Sequence, residues 1–202
     1  MVTVGALARF EFKPGNEAAI ERFFQEGQLI VQRQPASTLR FGFWLGPTTY
    51  GVFAAFANEE DRHALLSTGG PVLAKKVAAL FAQPPIFEKV DVLAAKLPKE
   101  KEGNVVTRGF LIQYEVKYGN EAGVVEHSIK EWLPAVQEEP GTITWFAFRL
   151  GPSTFGIFDA FPDEEGRQAH WNTWAAQLQN PAFVENSLVV EKADVFEARL
   201  SE

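Results

Sequence analysis

From Val2 to Lys13 apolar residues recur at every second position. Val4, Ala6, Ala8, Phe10 and Phe12 fall on one side and Arg9 and Glu11 on the other, the period of a β-strand. After the turn residues Lys13-Pro14-Gly15-Asn16 the period changes. Ile20, Phe23, Phe24, Ile30 and Val31 lie on one face of a helix predicted from Glu17 to Gln34 and ended by Pro35. Residues 41–56 then read as a hairpin, two Phe-rich arms around Gly46-Pro47-Thr48-Thr49. Its arms do not alternate cleanly between apolar and polar, so both faces of the sheet are expected to be covered. Asn58 is placed to cap a second helical region, with acids in its first turn. Ser67-Thr68-Gly69-Gly70-Pro71 interrupts that region, Val72–Phe81 resumes it, Pro84-Pro85 stops it, and Phe87–Leu97 is a closing strand.

The same order then recurs. Shifted by 105 positions, residues 41–62 and 146–167 are identical at 13 of 22 positions. A period of half the chain is too long for a solenoid and marks one domain duplicated. The second copy has a strand over Thr107–Lys117 and a first helix expected to bury Val125, Ile129, Trp132, Leu133 and Val136. After its hairpin, Asp163 caps a helix carrying Arg167, His170, Trp171, Trp174 and Leu178, and a last strand contains Glu191–Val195. Each copy is βαββαβ, a ferredoxin-like unit. The expected fold is α+β: repeat 1 over 1–97, a polar linker over 98–104, repeat 2 over 105–202. Helices cover one sheet face of each copy, so the other faces can close an internal, pseudo-dimeric α+β barrel.

Composition narrows the function. Apolar residues make up 46% and charged residues 22%, a globular balance. No run of 18 apolar residues and no secretory leader is seen, so a cytoplasmic location and no membrane partner are expected. The net charge is −7, with the acidic excess in the second half and no basic stripe, which argues against nucleic acid. There is no cysteine, hence no disulfide, thiolate nucleophile or Cys-ligated metal.

Residues 150–170, Leu-Gly-Pro-Ser-Thr-Phe-Gly-Ile-Phe-Asp-Ala-Phe-Pro-Asp-Glu-Glu-Gly-Arg-Gln-Ala-His, followed by Glu-Lys-Ala-Asp-Val-Phe-Glu-Ala-Arg-Leu, resemble the antibiotic biosynthesis monooxygenase (ABM-like) family. Thr-Tyr-Gly-Val-Phe-Ala-Ala-Phe and Glu-Lys-Val-Asp-Val-Leu-Ala-Ala-Lys-Leu carry the same resemblance in the first copy. The resemblance implies a dimeric α+β barrel. It also implies, among its characterised members, cofactor-independent oxygenases of polycyclic aromatics and quinols, or haem-degrading enzymes.

No phosphate loop, His-Glu-x-x-His or nucleophile elbow occurs, so candidates are polar groups at positions patterned for apolar ones. His170 leads: on the sheet-facing side of its helix it is either an acid, base or hydrogen-bond donor to a phenolic substrate, or a histidine bonded to a carboxylate or carbonyl. Asp159 is expected on one face with Phe146, Phe148 and Ile157, needing a partner such as a nearby Arg. Arg167 completes the candidate catalytic set. Trp171, Trp174, Trp145 and Tyr114 are the candidate aromatic lining. Trp145 and Arg149, whose counterparts are Arg40 and Trp44, are expected to stack inside the barrel. His127 and His63 are expected at the surface, and three scattered histidines give no metal-ligand spacing. The first copy has Leu65, Leu66 and Gly69 where the second has His170, Trp171 and Trp174. One site per chain, in the second copy, follows from that difference. Two functions stay open: a cofactor-free monooxygenase-like enzyme acting on a reduced aromatic or quinol, and a non-catalytic barrel that binds a small aromatic. A homodimer of the two-repeat chain is a further expectation.

Overall fold

The structure, a computed structural model, describes residues 2–32, 39–98, 105–178 and 184–200. The first βαββαβ run consists of β1 (Val4–Glu11), α1 (Glu17–Gln32), β2 (Leu39–Trp44), β3 (Thr49–Phe56), α2 (Glu59–Thr68), α3 (Gly70–Lys76) and β4 (Ile86–Lys96), with a 3-10 turn over Ala78–Leu80. The second consists of β5 (Arg108–Val116), α4 (Glu121–His127), α5 (Leu133–Gln137), β6 (Thr144–Arg149), β7 (Thr154–Phe161), α6 (Glu164–Leu178) and β8 (Val184–Arg199), with a π turn over Ser128–Trp132 between α4 and α5. The fold is α+β. The strands form a closed barrel in the order β1-β3-β2-β8-β5-β7-β6-β4. Read from β4, each run contributes the 4-1-3-2 order of a ferredoxin-like sheet. Residues 33–34 of the expected first helix and 99–104 of the expected linker lie outside the described residues.

Caps and turns form as their residues dictate. The Asn58 Oδ1 accepts from the Asp61 amide at 2.9 Å, and the Asp163 Oδ1 from the Gly166 amide at 2.9 Å. The repeated hairpin turn has a repeated clamp. The hydroxyls of Thr48 and Thr49 donate to Glu11 at 2.5 and 2.6 Å, and those of Ser153 and Thr154 donate to Glu115 at 2.8 and 2.7 Å. Glycine is required at Gly51 and Gly156, where a Cβ would lie 2.2 Å from the Phe43 ring and 2.4 Å from the Phe148 ring.

Compact units do not follow the repeat boundaries. One comprises Met1–Lys89 with Glu197–Glu202, the other Val90–Phe196. The reason is visible in β4, whose Asp91–Lys96 portion pairs antiparallel with β6, with a bulge between Val92 and Ala94. In the first unit, helices and sheet enclose Phe10, Phe12, Phe23, Tyr50, Leu73 and Phe81. In the second they enclose Phe110, Ile112, Trp132, Val136, Trp145, Ile157 and Trp174. The opposite strand faces are also dry: Leu7, Phe41, Phe43 and Phe53 in one unit and Leu111, Phe146, Phe148 and Phe158 in the other are at most 4% exposed.

Three expectations change. Pairing puts Asp159 opposite Trp145, and Phe146 opposite Phe158. Directly paired residues share a face, so Asp159 lies with Trp145, Ile157 and the helices, not with Phe146 and Phe148. Trp145 accordingly joins the helix-side cluster, and Arg149 lies over the Phe155 ring, 5.5 Å from its centroid, instead of stacking on Trp145. In the first helix of the second copy, Ile129 is 46% exposed and Ser128 is fully buried. The π turn inserts a residue there and rotates everything after it relative to a straight helix.

Candidate functional site

In the second unit the sequence candidates divide. His170 is buried on α6 between two carboxylates: its Nδ1 is 2.7 Å from Glu139 Oε2 and its Nε2 is 3.2 Å from Asp159 Oδ2. The other Asp159 oxygen accepts from the Phe110 amide at 2.9 Å. Thus the partner of Asp159 is a histidine and a backbone N–H, not the arginine expected. Glu139 also accepts from Thr142 Oγ1 at 2.7 Å and from Trp174 Nε1 at 2.5 Å. Its loop is held by Lys96, whose Nζ donates to the carbonyls of Val136 at 2.8 Å and Glu139 at 2.5 Å. Burial works against a charge on His170, but the two carboxylates outweigh it and push its pKa up to about 9. Burial likewise works to raise the Glu139 pKa, and the hydrogen bonds from His170, Thr142 and Trp174, with the imidazolium charge, hold it below the usual carboxylate range. An imidazolium clamped on both nitrogens is a poor general base.

The other candidates brace the unit. Arg167 donates to the carbonyls of Gly109 at 3.3 Å and Ala193 at 3.2 Å, pairs with Glu164, and lies over the Phe110 ring. Its counterpart Arg62 reaches the Gly5 carbonyl and Glu59 in the same way. Trp171 packs on Phe110 with ring centroids 5.3 Å apart. Tyr114 stacks on Phe155 at 6.2 Å, and burial raises its phenol pKa. Trp145 and Trp174 are buried beside His170 and Asp159, around a cleft of about 290 Å³ also lined by Trp132 and Ile157. His63 is exposed, and His127 is half-buried with its ring edge-on to Trp132.

The larger space lies in the first unit. A cavity of about 630 Å³, counted to its open mouth, separates β1, β2 and β3 from α1, α2 and α3. Phe10, Phe23, Phe24 and Phe87 supply aromatic walls, and Ala6, Ala8, Ala54, Leu65, Leu66 and Leu73 supply smaller apolar ones. The broken helix supplies Gly70 and Pro71. In the second unit α6 runs unbroken and carries His170, Trp171 and Trp174 in place of Leu65, Leu66 and Gly69. The added rings fill the second unit, and their absence leaves room in the first.

Two lining side chains of that cavity are polar, Arg40 and Tyr50. Arg40 interrupts the apolar run of β2 and is 9% exposed; its Nη1 donates to Glu197 Oε1 at 2.5 Å. It also hydrogen-bonds Tyr50, whose hydroxyl is pushed up to about 12, chiefly by burial. Gly42 makes the group possible: a Cβ there would lie 2.8 Å from the Tyr50 hydroxyl and 3.3 Å from Glu197 Oε2. Glu197 comes from the end of β8, which belongs to the first unit. The equivalent positions of the second unit are apolar, with Trp145 for Arg40, Ala147 for Gly42, Phe155 for Tyr50 and Ala94 for Glu197. Reading the copies as equals gave Arg40 a packing role and passed over Tyr50 and Glu197. The signal was a set of positions polar in one copy and apolar in the other. Among the described residues no His, Asp and Glu cluster could hold a metal ion, and no helix is long and apolar enough to cross a membrane.

The sequence matches no protein-family model and no curated protein. Solved structures do match. A candidate monooxygenase of Fusobacterium nucleatum subsp. nucleatum superposes with a TM-score of 0.77 at 14% identity, over 98% of this chain and 94% of that one. An anthrone oxidase-like protein gives 0.61 at 9% identity, over 97% and 92%. A ferredoxin-fold protein of Listeria monocytogenes related to antibiotic biosynthesis monooxygenases gives 0.57 at 9% identity, over 98% and 96%. The chain has the ferredoxin-like α+β barrel fold of the proteins related to antibiotic biosynthesis monooxygenases.

Proposed function

We propose that the chain is a monooxygenase-like protein that takes a reduced aromatic or quinol-type small molecule into the cavity of its first unit. The observation that carries this reading is the lining of that open cavity: phenylalanine walls with Arg40 and Tyr50 as its polar edge. Flat apolar ligands are held by such walls and oriented by a few polar groups. The fold neighbours named as a candidate monooxygenase and as anthrone oxidase-like support the reaction class. Without a cofactor the substrate itself is the reductant. In the balanced case a ring CH2 beside an aromatic carbonyl becomes a second carbonyl. Dioxygen supplies that oxygen, its other atom leaves with the two hydrogens as water, and all four electrons come from the substrate. The protein's part is to orient the ring, stabilise the oxygen-centred charge that develops on deprotonation, and exclude water. Arg40 is placed for the first task, as a hydrogen-bond donor to the ring's oxygen.

One observation favours a non-catalytic binder instead. Among the described residues the cavity lining holds no carboxylate, histidine or lysine to act as a base, and the Tyr50 hydroxyl is pushed up to about 12. Oxygen uptake with a panel of anthrones and hydroquinones separates the two. Turnover that falls at least about tenfold in Arg40→Met and is kept in Trp171→Ala supports the enzyme. Binding at one site per chain with no uptake on any compound supports the binder. Binding lost in Trp171→Ala but kept in Arg40→Met would move the site to the second unit.

A further inference from the structure

Arg40 is the cation among the cavity's lining residues, yet it is not free to draw in an anion. Its Nη1 is committed to Glu197 at 2.5 Å, and the pair is desolvated, with side-chain exposures of 11% and 18%. The polar edge of the cavity is therefore neutral overall, with a hydrogen-bonded phenol, Tyr50, beside it. A guanidinium has five N–H donors, so after serving Glu197 and Tyr50 it can still donate toward the cavity. An incoming carboxylate would compete with Glu197 for the guanidinium and place a second negative charge beside it against largely apolar walls. That is a repulsive element of the kind that sets specificity. A neutral phenol or aryl carbonyl meets donors without that repulsion.

We infer that Glu197 is a specificity-determining residue: by neutralising Arg40 it makes the first-unit cavity select uncharged, oxygen-bearing aromatics and reject aromatic carboxylates. The inference rests on the cavity being the ligand site proposed above. It does not depend on oxygen chemistry, because selection acts on binding. Glu197 is drawn from the far end of the chain, and the second unit has Ala94 at the equivalent place, so this selectivity belongs to one site per chain.

The test is calorimetric titration of the full chain at neutral pH with 1-naphthol, 1-naphthoate and naphthalene, for the native protein and for Glu197→Gln and Arg40→Met. The native protein should bind naphthol at least about tenfold more tightly than naphthoate. Glu197→Gln keeps the shape and removes the charge; it should reverse that order by freeing Arg40 for the carboxylate. Arg40→Met should bind naphthol no better than naphthalene. Equal or tighter binding of naphthoate by the native protein overturns the inference without any variant having to fold. An unchanged ratio in a Glu197→Gln protein with native circular dichroism overturns it too. Binding of none of the three compounds overturns the cavity reading and this inference together, whereas binding in the wrong order overturns this inference alone.

Discussion

His170 shows what a single buried residue costs and contributes. Both of its nitrogens face carboxylate oxygens, at 2.7 and 3.2 Å, so the charged ring is the bound form and its pKa is pushed up to about 9. A pKa raised on folding contributes stability that is complete below the unfolded value near 6.5 and is lost as pH rises through 9. Glu139 is shifted the other way, so its contribution is present above the ordinary carboxylate value of 4.5 and lost as pH falls. The native chain should therefore lose about 3 kcal/mol of unfolding free energy between pH 6.5 and 9.5 through His170. Urea unfolding across that range checks this, with His170→Leu as the reference in which the slope flattens. His170→Leu alone strands Asp159 and should cost about 3–5 kcal/mol. Adding Asp159→Ala, which restores the residue pair of the first copy, should recover part of that loss; additive losses would show that the two residues do not act as a pair. The sequence leaves His170 open between a substrate-facing role and a bond to a carboxylate or carbonyl, and marks Asp159 as needing a partner. It does not join them, because the face of Asp159 depends on the β6–β7 register, which alternation along one apolar strand cannot fix.

At the scale of elements the repeat was the most legible feature, and the hairpin clamp explains part of it. Glu11 and Glu115 each gather two hydroxyls of the following turn, so Gly-Pro-Thr-Thr and Gly-Pro-Ser-Thr carry hydroxyls where a generic turn needs none. Those hydrogen bonds lead the causes that hold the Glu11 carboxyl below its usual range. Glu11→Ala or Glu115→Ala should each lower stability by about 1–3 kcal/mol, read as a fall of about 2–10 °C in Tm. An unchanged Tm would leave the turn's hydroxyls unexplained. Helix ends and strand limits were readable to within a few residues because caps and prolines act locally. The π turn after His127 was not readable, since the apolar spacing from Val125 to Val136 fits a straight helix and nothing in it demands an inserted residue. The first-unit cavity was not legible for a related reason: a pattern of small and broken-helix residues shows no space until the neighbouring rings are placed. The interruption of the helical region at Gly69-Gly70-Pro71 brings Gly70 and Pro71 to the wall of that space.

At the scale of the whole molecule, the last strand of each sequence copy does not stay with its copy. From Val90 onward β4 belongs to the second unit and pairs with β6, and from Glu197 onward β8 belongs to the first and supplies the partner of Arg40. The repeat boundary and the folding boundary are thus different, which the alignment of the copies could not show. Cutting the chain between Pro98 and Val105 tests this directly. A fragment of residues 1–98 lacks Glu197 and the strand that neighbours β2, so it exposes a strand edge and leaves Arg40 buried without its carboxylate. It should unfold without cooperativity or self-associate, and it should not bind naphthol. The second fragment should fare no better, because β6 has lost β4. Mixed together they should restore a cooperative transition and one naphthol site per pair, since the missing peptide connection contributes only loop-closure entropy. If residues 1–98 alone form a cooperatively folding monomer that binds naphthol as the full chain does, the exchanged strands are dispensable and Glu197 has no part in the site.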